Sequence, residues 1–124
     1  MNDKRPINLD LTTISLPAPA VASILHRISG VVIFLFIPVL LWILSMSLAS
    51  IETFQTLQQF FTGFLWKFIL WALLTCLLYH LVAGIRHLLM DMHMGESRIA
   101  GKVSAYAVFA LGILFSILIG IWLW

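Results

Sequence analysis

Three long stretches of this chain carry no formal charge: residues 28–51, 68–85 and 103–124 contain no Asp, Glu, Lys or Arg. A helix rises about 1.5 Å per residue, so roughly 20 residues cross the ~30 Å hydrocarbon core of a bilayer. Each stretch is of that order, and none alternates polar and apolar residues as a membrane β-strand does. The expected fold is therefore all-α, an integral membrane protein with three transmembrane helices. Composition points the same way. Of the 124 residues, 62% are hydrophobic and 10% charged, against about 25% charged in soluble domains. A net charge of only +2 argues against a nucleic-acid partner. The single cysteine, Cys76, allows no disulfide within the chain and reads as a packing residue.

The chain reads as one transmembrane domain, residues 1–124, with a polar arm over 1–19 and helices over about 20–49, 61–90 and 102–124. Charges at Asp3, Lys4, Arg5 and Asp10, with no short apolar segment directly after them, argue against a cleaved signal peptide. Pro17-Ala18-Pro19 is suited to opening a helix, and Pro38 inside the first span is tolerated in a membrane. Residues 50–60 and 91–101 are expected as loops. Lys67, Trp66 and Trp71 suit a membrane interface. Gly112, Ser116 and Gly120 recur every four residues, a stripe that lets another helix approach closely and is available for assembly. Lys4, Arg5, Arg27, Arg86, Arg98 and Lys102 lie on one side of the expected topology, and only Lys67 on the other. The positive-inside rule puts the N-terminus and the second loop in the cytoplasm. The C-terminus then faces the periplasm of a bacterium or the intermembrane space of a mitochondrion. Three helices leave polar side chains facing lipid, so a partner membrane subunit is expected.

Ionisable groups at membrane depth are costly and mark functional or paired positions. One cluster is Ser23, His26, Arg27 and Gly30, at i, i+3, i+4 and i+7 on one helix face. It reads either as a snorkelling arginine beside a histidine or as a ligand pocket. In the pocket, Arg27 and His26 hold a carboxylate or polarise a carbonyl, Ser23 donates a hydrogen bond, and Gly30 leaves room. The second cluster is the stripe His80, Gly84, His87 and Asp91. His80 lies seven residues deeper than His87, on the order of 10 Å. It reads either as a histidine bonded to a neighbouring helix or as an axial haem ligand, with Gly84 clearing space for a flat ring. His26, His87 and His93 all lie near the cytoplasmic interface, so a second axial histidine is expected from another chain. His93 itself reads as a solvated surface residue. A stand-alone di-haem cytochrome, which needs four deep histidines, is disfavoured. No zinc-spaced cluster, phosphate loop or dinucleotide fingerprint occurs.

Three segments occur in order: Arg5-Pro6-Ile7-Asn8-Leu9-Asp10-Leu11, Ser23-Ile24-Leu25-His26-Arg27-Ile28-Ser29-Gly30, and His80-Leu81-Val82-Ala83-Gly84-Ile85-Arg86-His87. In combination they closely resemble the cytochrome b556 membrane-anchor family of succinate dehydrogenase, respiratory complex II, in its proteobacterial form. The resemblance runs from about residue 4 to 124. It implies that His80 is the axial ligand of haem b, with the other ligand from a companion anchor subunit. It implies that Ser23 and Arg27 bind ubiquinone, and that His26, Arg27 and His87 lie near the haem propionates. Succinate oxidation is then the work of a flavoprotein subunit with FAD and an iron–sulfur subunit, both bound at the cytoplasmic face of the bacterial inner membrane. Two alternatives stay open: a fumarate reductase anchor working with menaquinone, and a non-redox membrane scaffold or transporter subunit.

Overall fold

The computed structural model of the chain describes Asp10 and residues 13–124. Apart from Asp10, the Arg5-to-Leu11 segment lies outside the described residues. Four helices follow one another: α1 (Ala18–Ala49), α2 (Ile51–Phe60), α3 (Phe64–Asp91) and α4 (Arg98–Leu123). Three of them, α1, α3 and α4, are long and apolar enough to cross a membrane, and no strand occurs among the described residues.

Local chemistry sets the helix ends. Pro17 is extended, and its carbonyl accepts the N–H groups of Ala20 and Val21 at 2.9 and 3.2 Å. Pro19 sits in the first turn, where a missing N–H is harmless. The helix then runs unbroken through Pro38 to Ala49. Residues 50–60, expected as a loop, instead form α2. Ser50 ends α1 and caps α2: its hydroxyl accepts from the Thr53 N–H at 3.1 Å while the Thr53 hydroxyl accepts from the Ser50 N–H, also at 3.1 Å. This is a capping box with Thr in place of the usual Glu or Gln. Thr53 Oγ1 also lies 2.8 Å from the Met46 carbonyl of α1, which ties the two helices together. At the other end, α4 begins at Arg98, four residues before the expected start, because Ser97 caps it by accepting from the Ala100 N–H at 3.1 Å. The tight turn between α3 and α4 needs two left-handed residues, His93 at φ 60° and Gly95 at φ 76°. His93 is exposed and pairs with Glu96 at 2.6 Å.

Helix α3 is the centre of the assembly, packed antiparallel against both α1 and α4. The small-residue stripe of α4 is used here, within the chain, rather than being left free for assembly. A Cβ on Gly112 would lie 3.0 Å from Tyr79 Cδ2, and one on Gly120 would lie 3.6 Å from Trp71 Nε1. The Trp71 N–H donates to the Ser116 carbonyl at 2.9 Å, so this tryptophan clasps α3 to α4. Tyr79 donates across the other way, to the Ala22 carbonyl of α1 at 3.2 Å. Arg86, only 6% exposed, donates from Nε to Ser104 Oγ at 2.9 Å and from Nη2 to the Gly101 carbonyl at 3.2 Å. Among the described residues no large side chain is fully buried, and Leu48 and Trp122 are 77% and 76% exposed. The outer surface is thus apolar, as a lipid- or helix-facing surface must be.

Arg86→Leu removes both charge-assisted bonds between α3 and α4. It should lower thermal stability in mild detergent by about 1.5–3 kcal/mol, measured as a drop in the melting temperature.

Candidate functional site

The polar chemistry gathers where the first half of α1 meets the second half of α3. Ala22 and Ser29 are the buried positions of α1, and His26 lies between them on the same face. Opposite stand His80, Ala83 and His87 of α3. Three imidazoles form a pile: His26 stacks on His80 with centroids 4.2 Å apart at 17°, and on His87 with centroids 4.9 Å apart at 23°.

Two glycines make this possible. A Cβ on Gly30 would stand 3.0 Å from His80 Cε1, and one on Gly84 would stand 3.3 Å from His26 Nε2. Each helix offers a notch to the other's histidine. The space at Gly84, expected for a flat ligand ring, is taken by the ring of His26. The room at Gly30 is filled by His80. Because the helices approach so closely, His26 of α1 lies between the two α3 histidines.

The hydrogen bonds fix part of the stack. His80 Nδ1 lies 3.1 Å from the His26 carbonyl and 3.1 Å from Ser29 Oγ. A carbonyl oxygen only accepts, so Nδ1 carries the hydrogen and Nε2 the lone pair. His87 Nδ1 likewise meets the Ala83 carbonyl at 3.0 Å. His26 Nε2 is buried with no hydrogen-bond partner among the described residues.

Ser23 and Arg27 do not join the stack. Arg27 is exposed and Ser23 half-buried, and neither side chain has a hydrogen bond among the described residues. The face expected to carry Ser23, His26 and Arg27 together is therefore divided: His26 turns inward, and Arg27 presents a free guanidinium outward. Asp91 closes α3 as an exposed residue. Cys76, with Ser29, Tyr79 and Gly112, lines an apolar groove of about 500 Å³ between α1, α3 and α4. A second apolar cavity, about 470 Å³, lies toward the opposite end between α1, α2 and α3, and no ionisable side chain lines it.

The chain as a whole matches a known family. A sequence model of the succinate dehydrogenase/fumarate reductase transmembrane subunit family matches residues 1–119. The chain belongs to this family. It is 46% identical over 125 residues to the succinate dehydrogenase cytochrome b556 subunit of Coxiella burnetii, covering 100% of both chains. It is 35% identical to the cytochrome b560 subunit of Reclinomonas americana, over 95% of this chain and 85% of that one. Against the cytochrome b556 subunit of Paracoccus denitrificans it is 30% identical, over 92% of this chain and 88% of that one.

For a transmembrane subunit of this family, the residue that sequence reasoning passed over is Ser29. Its position three residues after His26, with a hydroxyl able to reach back to that carbonyl, was the available signal. The notches also make a test. Gly30→Val adds bulk where the first added carbon already crowds His80, and should destabilise the protein by about 1–3 kcal/mol. Gly101→Ala, with nothing within 4 Å of its added Cβ, should leave stability equal or slightly higher. Melting temperatures of the two variants in one detergent check the contrast.

Proposed function

We propose that this chain is a membrane-anchor subunit of a succinate:ubiquinone oxidoreductase, and that His80 is an axial ligand of haem b. One observation carries the haem assignment. The hydrogen of His80 is committed at Nδ1 to the His26 carbonyl, so Nε2 offers a lone pair, the form in which histidine binds metal. His87 has the same pattern at the Ala83 carbonyl, and the resemblance of the His80–His87 segment singles out His80. The printed names of the relatives, cytochrome b556 and b560 subunits of succinate dehydrogenase, support the same cofactor and the direction succinate to quinone. Haem, when bound, supplies a one-electron iron couple within the membrane.

The second axial ligand comes from another subunit. Two imidazoles that were to hold one iron would each have to aim a ring nitrogen at a common point between them. His26 and His80 lie face to face instead, 17° from parallel, so His26 is not the partner ligand. Its Nε2 is buried against Gly84 and unpaired among the described residues, a costly state, and on the family resemblance His26 is proposed to lie near the haem propionate carboxylates. His87 and Arg27 are proposed for the same carboxylates.

Ser23 and Arg27 are proposed to bind ubiquinone, the hydroxyl donating to a quinone oxygen and the guanidinium stabilising its reduced form. Their support is position and availability: both lie in the first turns of α1, and neither is engaged elsewhere among the described residues. Quinone reduction consumes two protons with its two electrons, so its site belongs near water. The proposed orientation sets the N-terminus, Arg27, Arg86, Arg98 and Lys102 at the cytoplasmic face of a bacterial inner membrane, and the C-terminus in the periplasm. Flavoprotein and iron–sulfur subunits then dock on that basic face and carry out succinate oxidation.

In the purified complex, His80→Leu should abolish or grossly alter the haem absorption spectrum; a retained bis-imidazole spectrum contradicts the assignment. Ser23→Ala and Arg27→Leu should each slow succinate-dependent quinone reduction about 10-fold or more, while succinate oxidation with an artificial acceptor persists. Equal loss of both activities contradicts the quinone role.

A further inference from the structure

We propose that Ser29 is a positioning residue for haem: with the His26 carbonyl it clamps Nδ1 of His80, and so sets the orientation and donor strength of Nε2. The inference rests on the reading of His80 as an axial ligand and deepens it.

Ser29 is 5% exposed and, with Arg86, one of two buried polar or charged residues among those described. Its hydroxyl donates back along α1 to the His26 carbonyl at 2.8 Å. That bond uses the only hydrogen the hydroxyl has. Its oxygen then faces His80 Nδ1 at 3.1 Å as an acceptor, beside the His26 carbonyl at the same distance. The Nδ1–H is therefore shared between two acceptors, and neither can donate to it in this arrangement. The ring has no second stable tautomer here, because a lone pair on Nδ1 would point at the carbonyl lone pairs.

Orientation is held just as closely. Gly30, the next residue, leaves the room that the ring occupies, since a Cβ there would stand 3.0 Å from His80 Cε1, and His26 stacks on the ring face. Three features hold the imidazole: two acceptors at one nitrogen, a glycine notch that admits the ring edge, and a ring against its plane. All three come from the single stretch 26–30 of α1, although His80 is on α3. Acceptors on the far nitrogen of a metal-bound histidine raise its basicity, and their loss weakens metal binding by about 10–100-fold. A more basic imidazole favours the ferric over the ferrous iron.

The test uses the assembled complex in detergent and reads the haem, not turnover. Ser29→Ala removes one acceptor and leaves the His26 carbonyl. The expected result is a retained bis-imidazole spectrum, a haem midpoint potential shifted positive, and transfer of haem to excess apomyoglobin on the order of 10-fold faster. Ser29→Thr, which keeps the hydroxyl, should return both values to wild type, a rescue that loss of packing would not give. A native potential and native transfer rate in Ser29→Ala overturn the proposal. If Ser29→Ala fails to assemble, Ser29→Cys, nearly the same shape with a weak acceptor, decides: a positive shift supports the clamp and an unchanged potential overturns it. His80→Leu, run alongside, separates the two levels. A haem spectrum unaltered in that variant removes the axial-ligand reading itself, whereas a lost spectrum with an unresponsive Ser29 removes only the clamp.

Discussion

A polar group inside a bilayer has no water to turn to, so it must find its partner on a neighbouring helix. The packing of this chain follows from that constraint. Apolar side chains gain little by leaving lipid for protein, because both surroundings are equally oily. What distinguishes one arrangement of α1, α3 and α4 from another is the small set of bonds that only one register satisfies. Trp71 reaches the Ser116 carbonyl, Tyr79 the Ala22 carbonyl, and Arg86 Ser104 and Gly101. His80 reaches His26 and Ser29. Each bond belongs to α3, which explains why the central helix carries these groups and why its neighbours supply carbonyls, hydroxyls and glycines.

The glycines convert this bonding into a site. Gly30 and Gly84 lie on different helices, and each receives a histidine from the other. Close approach brings His26 between His80 and His87, and it presses the backbone of α1 against the His80 ring. An added Cβ at either position would force the facing histidine to give way by a few tenths of an ångström, and a larger side chain by more. Positioning of the proposed iron ligand thus depends on absent side chains as much as on present ones.

Much of this was legible in the sequence, and the remainder failed for identifiable reasons. The three crossings followed from uncharged length alone. His80, His26, His87, Ser23 and Arg27 stood out because ionisable or hydroxyl groups are conspicuous on apolar helices. Helix α2 was missed because Glu52, Gln55 and Gln58 make residues 50–60 look like a polar loop, although Ser50 and Thr53 are spaced as a cap. The notches were misassigned because a glycine announces space without saying what fills it. Sequence spacing places residues on one helix face; it does not give the register between two helices. That register decides that Gly84 accommodates His26, that Arg27 and His26 part company, and that the small stripe of α4 serves α3.

The absence of any fully buried large side chain among the described residues has a consequence for the life of the subunit. Three helices that span the bilayer are committed to the membrane, yet they share no sealed interior of their own. Crossing the bilayer and packing together are then separate matters, the second resting on a few bonds between helices. Their outer faces keep an exposed Arg27 and a half-covered histidine pile. What orders the chain is a handful of side chains at the helix seams, so a small change there matters more than a larger one on the outer faces.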